Sequence, residues 1–166
     1  MALIQTVQSS VSQYAGVRYV GQIDTLQINN VTDAILDTAV AGFGVPLART
    51  ATGVKPFTLV GDVFAGVAIR KHTVTNTYDS NTAPTYAIGS NVAVLNMGYI
   101  VVEAESAVVK GGNVFIRYGA GAGGTVLGAI RADADTATAV EVPGVVFAES
   151  ADAGDMVRIA ITRIFE

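Results

Sequence analysis

The chain has 166 residues, 51% of them hydrophobic, and its 10 Lys and Arg against 14 Asp and Glu leave a formal net charge of −4. That length fits one domain with a real core, and the acidic balance argues against nucleic acid, whose phosphates require a basic face. The lack of cysteine excludes disulfides and thiolate metal sites, and no apolar run approaches the roughly 20 residues of a membrane helix.

The first ten residues, MALIQTVQSS, carry no basic side chain and do not read as a secretory signal; synthesis and assembly in a cytoplasm are expected. Through residues 1–30, Gln, Ser, Thr and Asn interrupt isolated apolar positions, Ile4, Val7, Val11, Tyr14 and Tyr19. This stretch reads either as irregular first strands or as an extended arm lying across a neighbouring subunit. In the second reading those five side chains are the candidate interface residues. A single β domain is expected over 31–166. Helix is sparse, at most one or two short ones, and the best candidate is 31–39, with Asn30 or Thr32 able to cap it.

Further along, strand signals dominate. Residues 58–60 form a short β-rich run. In 63–70, Val63, Ala65, Val67 and Ile69 alternate with Phe64, Gly66, Ala68 and Arg70, a period of two. A polar stretch, 73–84, reads as a projecting loop. Two strands, 91–95 and 99–104, flank Asn96-Met97-Gly98, which has the character of a hairpin turn. Gly111-Gly112-Asn113 is a second turn, followed by a strand at 114–118. More strands are predicted at 126–130, 137–142 and 145–147, with Pro143-Gly144 turning the chain between the last two. Residues 131–139 are ambiguous between loop and strand. In the last strand Val157, Ile159 and Ile161 share one face, opposite Arg158, Ala160 and Thr162, a half-buried strand ending a sheet. Many short strands separated by Gly, Pro, Asn and Asp define an all-β sandwich or barrel.

Chemical motifs are weak. Gly119-Ala120-Gly121-Ala122-Gly123-Gly124 fits the dinucleotide pattern GxGxxG, but Thr125-Val126-Leu127-Gly128 does not open the helix that would bind a pyrophosphate. A flexible hairpin or loop tip is the better reading. His72 is the one histidine, so no His-paired metal site exists within a chain and no GxSxG accompanies it. Asp133 and Asp135 read as a solvated acidic loop, without an EF-hand signature. Glu103 and Glu105, two apart on a strand, read as an exposed stripe. No catalytic residue, metal site or cofactor is expected.

The order of these signals resembles a family of capsid cement (decoration) proteins of tailed bacteriophages. The resemblance is carried by 64–68 (FAGVA), a polar loop, 86–98 (YAIGSNVAVLNMG), the strand 99–103, Gly112-Asn113-Val114-Phe115, and 150–157 (SADAGDMV) entering the last strand. The regions of Gly21-Gln22-Ile23-Asp24 and Gly42-Phe43-Gly44-Val45-Pro46 are similar too. The resemblance implies a jelly-roll-like β-sandwich or barrel on the outside of an icosahedral head. It also implies bridging of major capsid protein subunits as a homo-oligomer, a dimer ahead of a trimer, with no cofactor, membrane or nucleic acid involved. Two other readings compete. One is a tail or baseplate module. The other is a jelly-roll carbohydrate-binding module, for which Tyr78 and Tyr86 give weak support and the lack of Trp counts against.

Overall fold

In residues 91–103, NVAVLNMGYIVVE, β-branched and aliphatic side chains follow one another with little polar interruption, as a strand buried on both faces demands. They form the longest strand of a computed structural model that describes residues 18–24, 27–71 and 85–162. Among the described residues there is no helix and there are eleven strands: β1 (Asn30–Ile35), β2 (Ala41–Gly42), β3 (Pro46–Arg49), β4 (Val54–Pro56), β5 (Phe64–Ala68), β6 (Thr85–Tyr86), β7 (Asn91–Glu103), β8 (Asn113–Arg117), β9 (Ile130–Arg131), β10 (Ala139–Phe147) and β11 (Met156–Ile161).

β7 organises the molecule by changing partners along its length. Its first half pairs with β1, from Ile35↔Asn91 to Val31↔Leu95, and with β5, through Val67↔Leu95 and Ala68↔Val94. Its second half pairs with β11, from Ile161↔Gly98 to Met156↔Glu103. The sheet order is β4-β3-β5-β7-β11-β10-β8-β9, with β1 branching from β7 and β2 pairing separately with β6.

Two parallel bridges curl this sheet back on itself. Leu36 bridges Val54, and Ala104 bridges Ile130. The Asp37 N–H donates to Val54 O at 2.8 Å and the Glu105 N–H to Ile130 O at 2.7 Å. Each half of the sheet thus wraps a core of its own. Leu36, Leu47, Val54, Tyr86, Val92 and Val94 fill the first. Ile100, Val102, Ile116, Phe147, Val157 and Ile159 lie in the second, which continues onto Val67, Ala93 and Leu95, the other face of the first half. Each such side chain contributes on the order of 1.5–3 kcal/mol of burial. Within the first core the Tyr86 hydroxyl donates to Ile69 O at 2.6 Å.

The all-β sandwich or barrel expected from the sequence is met, and several local expectations are corrected. The helix at 31–39 is instead β1, because Ala34 and Leu36 point inward at a strand's period of two. Asn96-Met97-Gly98 is not a turn but the middle of β7, where Gly98 has φ +125° and an added Cβ would strike the Asn29 side chain. Residues 58–60 turn rather than extend, since the Asp62 carboxylate accepts the Thr58 and Leu59 N–H groups, both at 2.9 Å. Of 126–130 only Ile130 lies in a strand; Gly128, at φ +80°, turns the rest. Pro143-Gly144 interrupts the register of one strand, β10, instead of separating two. β11 lies between β7 and β10 rather than at a sheet edge, which explains why Ala160, on its supposed outer face, is buried as well.

Candidate interaction surface

The chemistry-bearing residues that the sequence scatters over 105–135 meet at the open end of the second curled half. Pairing of β8 with β9, Phe115↔Arg131 and Ile116↔Ile130, sets Arg117 and Arg131 close together. Glu105 follows β7, and Asp135 sits in the turn before β10. Arg117 Nη2 lies 2.7 Å from both Glu105 Oε2 and Asp135 Oδ2. Arg131 Nη1 lies 3.1 Å from Glu105 and 3.0 Å from Asp135, and its Nη2 is 2.8 Å from Asp133 Oδ1. The Arg117 side chain is fully buried.

Asp135 is held below the ordinary carboxylate value first by Arg117, with Gly123 N–H and Arg131 adding to it against partial desolvation. Arg117 is held above its ordinary value first by its bonds to Glu105, then by Asp135, with burial opposing. Both acids are bonded to guanidinium partners, so the arrangement ties the strands and the turn together.

The glycine run is explained by the same network. A Cβ at Gly121, Gly123 or Gly124 would run into Asp135, Arg131 or Glu105. Without side chains the loop closes over the ions, and the Gly123 N–H donates to Asp135 Oδ2 at 3.0 Å. Three readings are corrected here. The glycines do form a hairpin, Gly121 bridging Gly124, but it is held by the ions rather than flexible. Glu105 is mostly buried while Glu103 is exposed, so the two form no stripe. The Asp135 side chain is 9% exposed between the two arginines, while Asp133, at 64%, is solvated. Sequence reasoning missed Arg117 and Arg131; the one signal was a charged residue inside an otherwise apolar strand, VFIR.

Around this rigid body the surface carries separated apolar side chains. Ile28, Val31 and Ile35 lie on and beside β1; Leu59, Val60 and Val63 lie on the β4–β5 connection; Val126 and Leu127 follow the glycine loop. A groove of about 280 Å³ runs between Val20, Phe43, Val45, Leu127 and Ile130, with Glu103 on its wall.

Of the five candidate interface residues only Tyr19 is described. It is half exposed, with the Arg70 guanidinium 4.7 Å from its ring centroid. Ile4, Val7, Val11 and Tyr14 lie outside the described residues, as do His72, the loop at 73–84 and Tyr78. The chain from Arg18 is fastened to its own domain. Arg18 pairs with Glu149, Arg158 reaches Asp24 at 3.2 Å, and the Gly21 N–H donates to Val101 O at 2.8 Å. Tyr86 is buried beside Phe43 and offers no platform for a sugar.

Curled sheets, loops locked by paired ions and dispersed apolar patches define the class, an all-β structural module. The chain belongs to the phage cement family described as structural cement protein (E217 gp24/Pam3 gp6), whose family model matches residues 7–162. The resemblance read from the sequence is met. The structure is similar to a chain of the capsid of Myoviridae phage XM1, with a TM-score of 0.72 and 17% identity over 89% of this chain and 91% of that one. That likeness shows the shared fold. A second similar chain, the head fiber gp8.5 N base of bacteriophage phi29, has a TM-score of 0.39 and 14% identity over 84% and 99% of the two chains. No curated protein matches the sequence.

Proposed function

We propose that this protein binds the outside of a phage head and ties neighbouring major capsid protein subunits together, without catalysing a reaction. Membership of the cement family over residues 7–162 carries the reading. The surface supports it: apolar side chains such as Ile28 and Val126, 84% and 68% exposed, suit contacts with other subunits. One standard interface of roughly 1,600 Å² per copy suffices, because many copies on a repeating lattice act together. The protein acts as a homodimer, a trimer being the alternative outcome, and is assembled onto heads in the host cytoplasm. Residues 1–30 supply a clasp through Ile4, Val7, Val11, Tyr14 and Tyr19.

Heads assembled with and without the protein test this directly. Electron microscopy should place it outside the shell, and DNA should escape at a lower temperature from heads that lack it. Density on the tail or baseplate, or equal escape temperatures, would overturn the proposal.

A further inference from the structure

β1 is the most solvent-exposed of the longer strands; five of its six residues are exposed, although one edge is fully paired. Its other edge is open at Val31 and Asp33, before Gly53 and Val54 cover it at Ile35 and Leu36. The Leu36 N–H donates to Ser90 O on the β7 side, while the Asp37 N–H turns the opposite way to Val54 O. By alternation, Ala34 and Thr32 direct their backbone groups to β7, and Asp33 and Val31 direct theirs away. The neighbouring strand agrees: Ala93, opposite Asp33, gives its carbonyl to the Ile69 N–H on the β5 side, at 2.8 Å. Nothing among the described residues pairs with the outward groups of Val31 and Asp33. Exposed Ile28, Val31 and Ile35 flank them. The single charge on the strand, Asp33, is already matched by Lys71 at 3.1 Å. An unpaired edge with apolar flanks and no net charge is a template for an added strand.

We propose that this edge receives the N-terminal segment of a second copy, residues 1–17, as an added β-strand. The inference rests on the proposed role of that segment as a link between copies, and names its receptor. Three properties of the segment suit the site. It contains no Asp, Glu, Lys, Arg or Pro, so it brings neither an unpaired charge nor a missing N–H to the ladder. It carries Ile4, Val7 and Val11 as apolar contacts. It also has reach: 17 extended residues span up to about 56–61 Å, against roughly 20 Å for a six-residue strand. Main-chain bonds would supply the affinity, and the exposed apolar side chains beside the edge the choice of partner.

The lack of native cysteine makes a disulfide test clean. Thr32→Cys protein is mixed with full-length copies carrying one cysteine at Thr6, Val7 or Gln8, and oxidised, both free and on heads. At the register that fits, roughly tenfold more mixed dimer is expected than with Val109→Cys, an exposed control site, as a tethered strand at millimolar effective concentration requires. Asp33→Pro removes one outward N–H and should abolish the excess while leaving the melting temperature near that of the parent. Crosslinks within single chains only, or to a cysteine placed in the 73–84 loop, would overturn the inference by naming a different occupant. No crosslink at any register also overturns it. If removal of residues 2–13 then still weakens retention on heads, the clasp itself survives and only its receptor is wrong.

Discussion

Arg117 shows how much one side chain does here. Its guanidinium is buried against two carboxylates and also donates to Thr138 Oγ1 at 3.0 Å and Gly119 O at 3.2 Å. Arg117→Met would leave Glu105 and Asp135 with only Arg131 between them, an imbalance of buried charge. Such losses cost about 3 kcal/mol or more, so a fall of several degrees in melting temperature is expected by calorimetry. Asp135 gives the network a pH dependence. Because its folded-state value lies below 3.8, its stabilisation is complete above that pH and is lost as pH drops through the folded-state value. In urea titrations the difference between the parent and Asp135→Asn should be largest at neutral pH and shrink below pH 3.8. None of these partnerships was legible in the sequence, for a physical reason. Glu105 and Asp135 stand 12 and 18 residues from Arg117, and no local period reports a contact that only the closing of a sheet creates. Gly98 was misread for a related reason. A glycine at positive φ signals a turn when seen alone, yet here it lets one strand pass under Asn29 while exchanging neighbours. Gly98→Ala combines backbone strain with a clash and should destabilise by about 2 kcal/mol or more in chemical denaturation.

At the level of elements, alternation was informative where a strand has one wet face and silent elsewhere. Residues 63–70 were recognised as extended, but Ala65, Gly66, Val67 and Ala68 are all buried, so no face could be assigned from the pattern. β1 failed differently. Asn30 and Thr32 look like helix caps, and only tertiary pairing with β7 resolves the ambiguity between periods of two and 3.6. Its orientation makes a prediction at amide resolution. In protein lacking residues 2–13, the Val31 and Asp33 amides should exchange with deuterium much faster than those of Thr32 and Ala34, as read by NMR. Uniform protection along β1 would contradict the edge assignment.

For the whole molecule, the family and the all-β class were readable from the order of turns and strands, while the joining of two curled halves was not. The lever on function at this scale is the N-terminal segment. Deletion of residues 2–13 should leave a soluble protein whose far-UV circular dichroism remains that of a β protein, because the described strands and both described cores lie beyond them. Heads dressed with the truncated protein should nonetheless shed it sooner on dilution and release DNA at a lower temperature than heads dressed with the full chain. Equal retention would remove the clasp.

The passage of β7 through both halves has a mechanical meaning. Two modules joined by a linker or a side-chain interface can be pulled apart while each stays folded. Here a pull on the β5 side and a pull on the β11 side act on the same 13-residue backbone, so tension between them travels along covalent bonds. To part, the halves must first strip β7 from one of its ladders, shearing several antiparallel hydrogen bonds together. Stretched between two neighbours in a pressurised shell, such a molecule would behave as one stiff tie, yielding at its contacts before it yields at its centre.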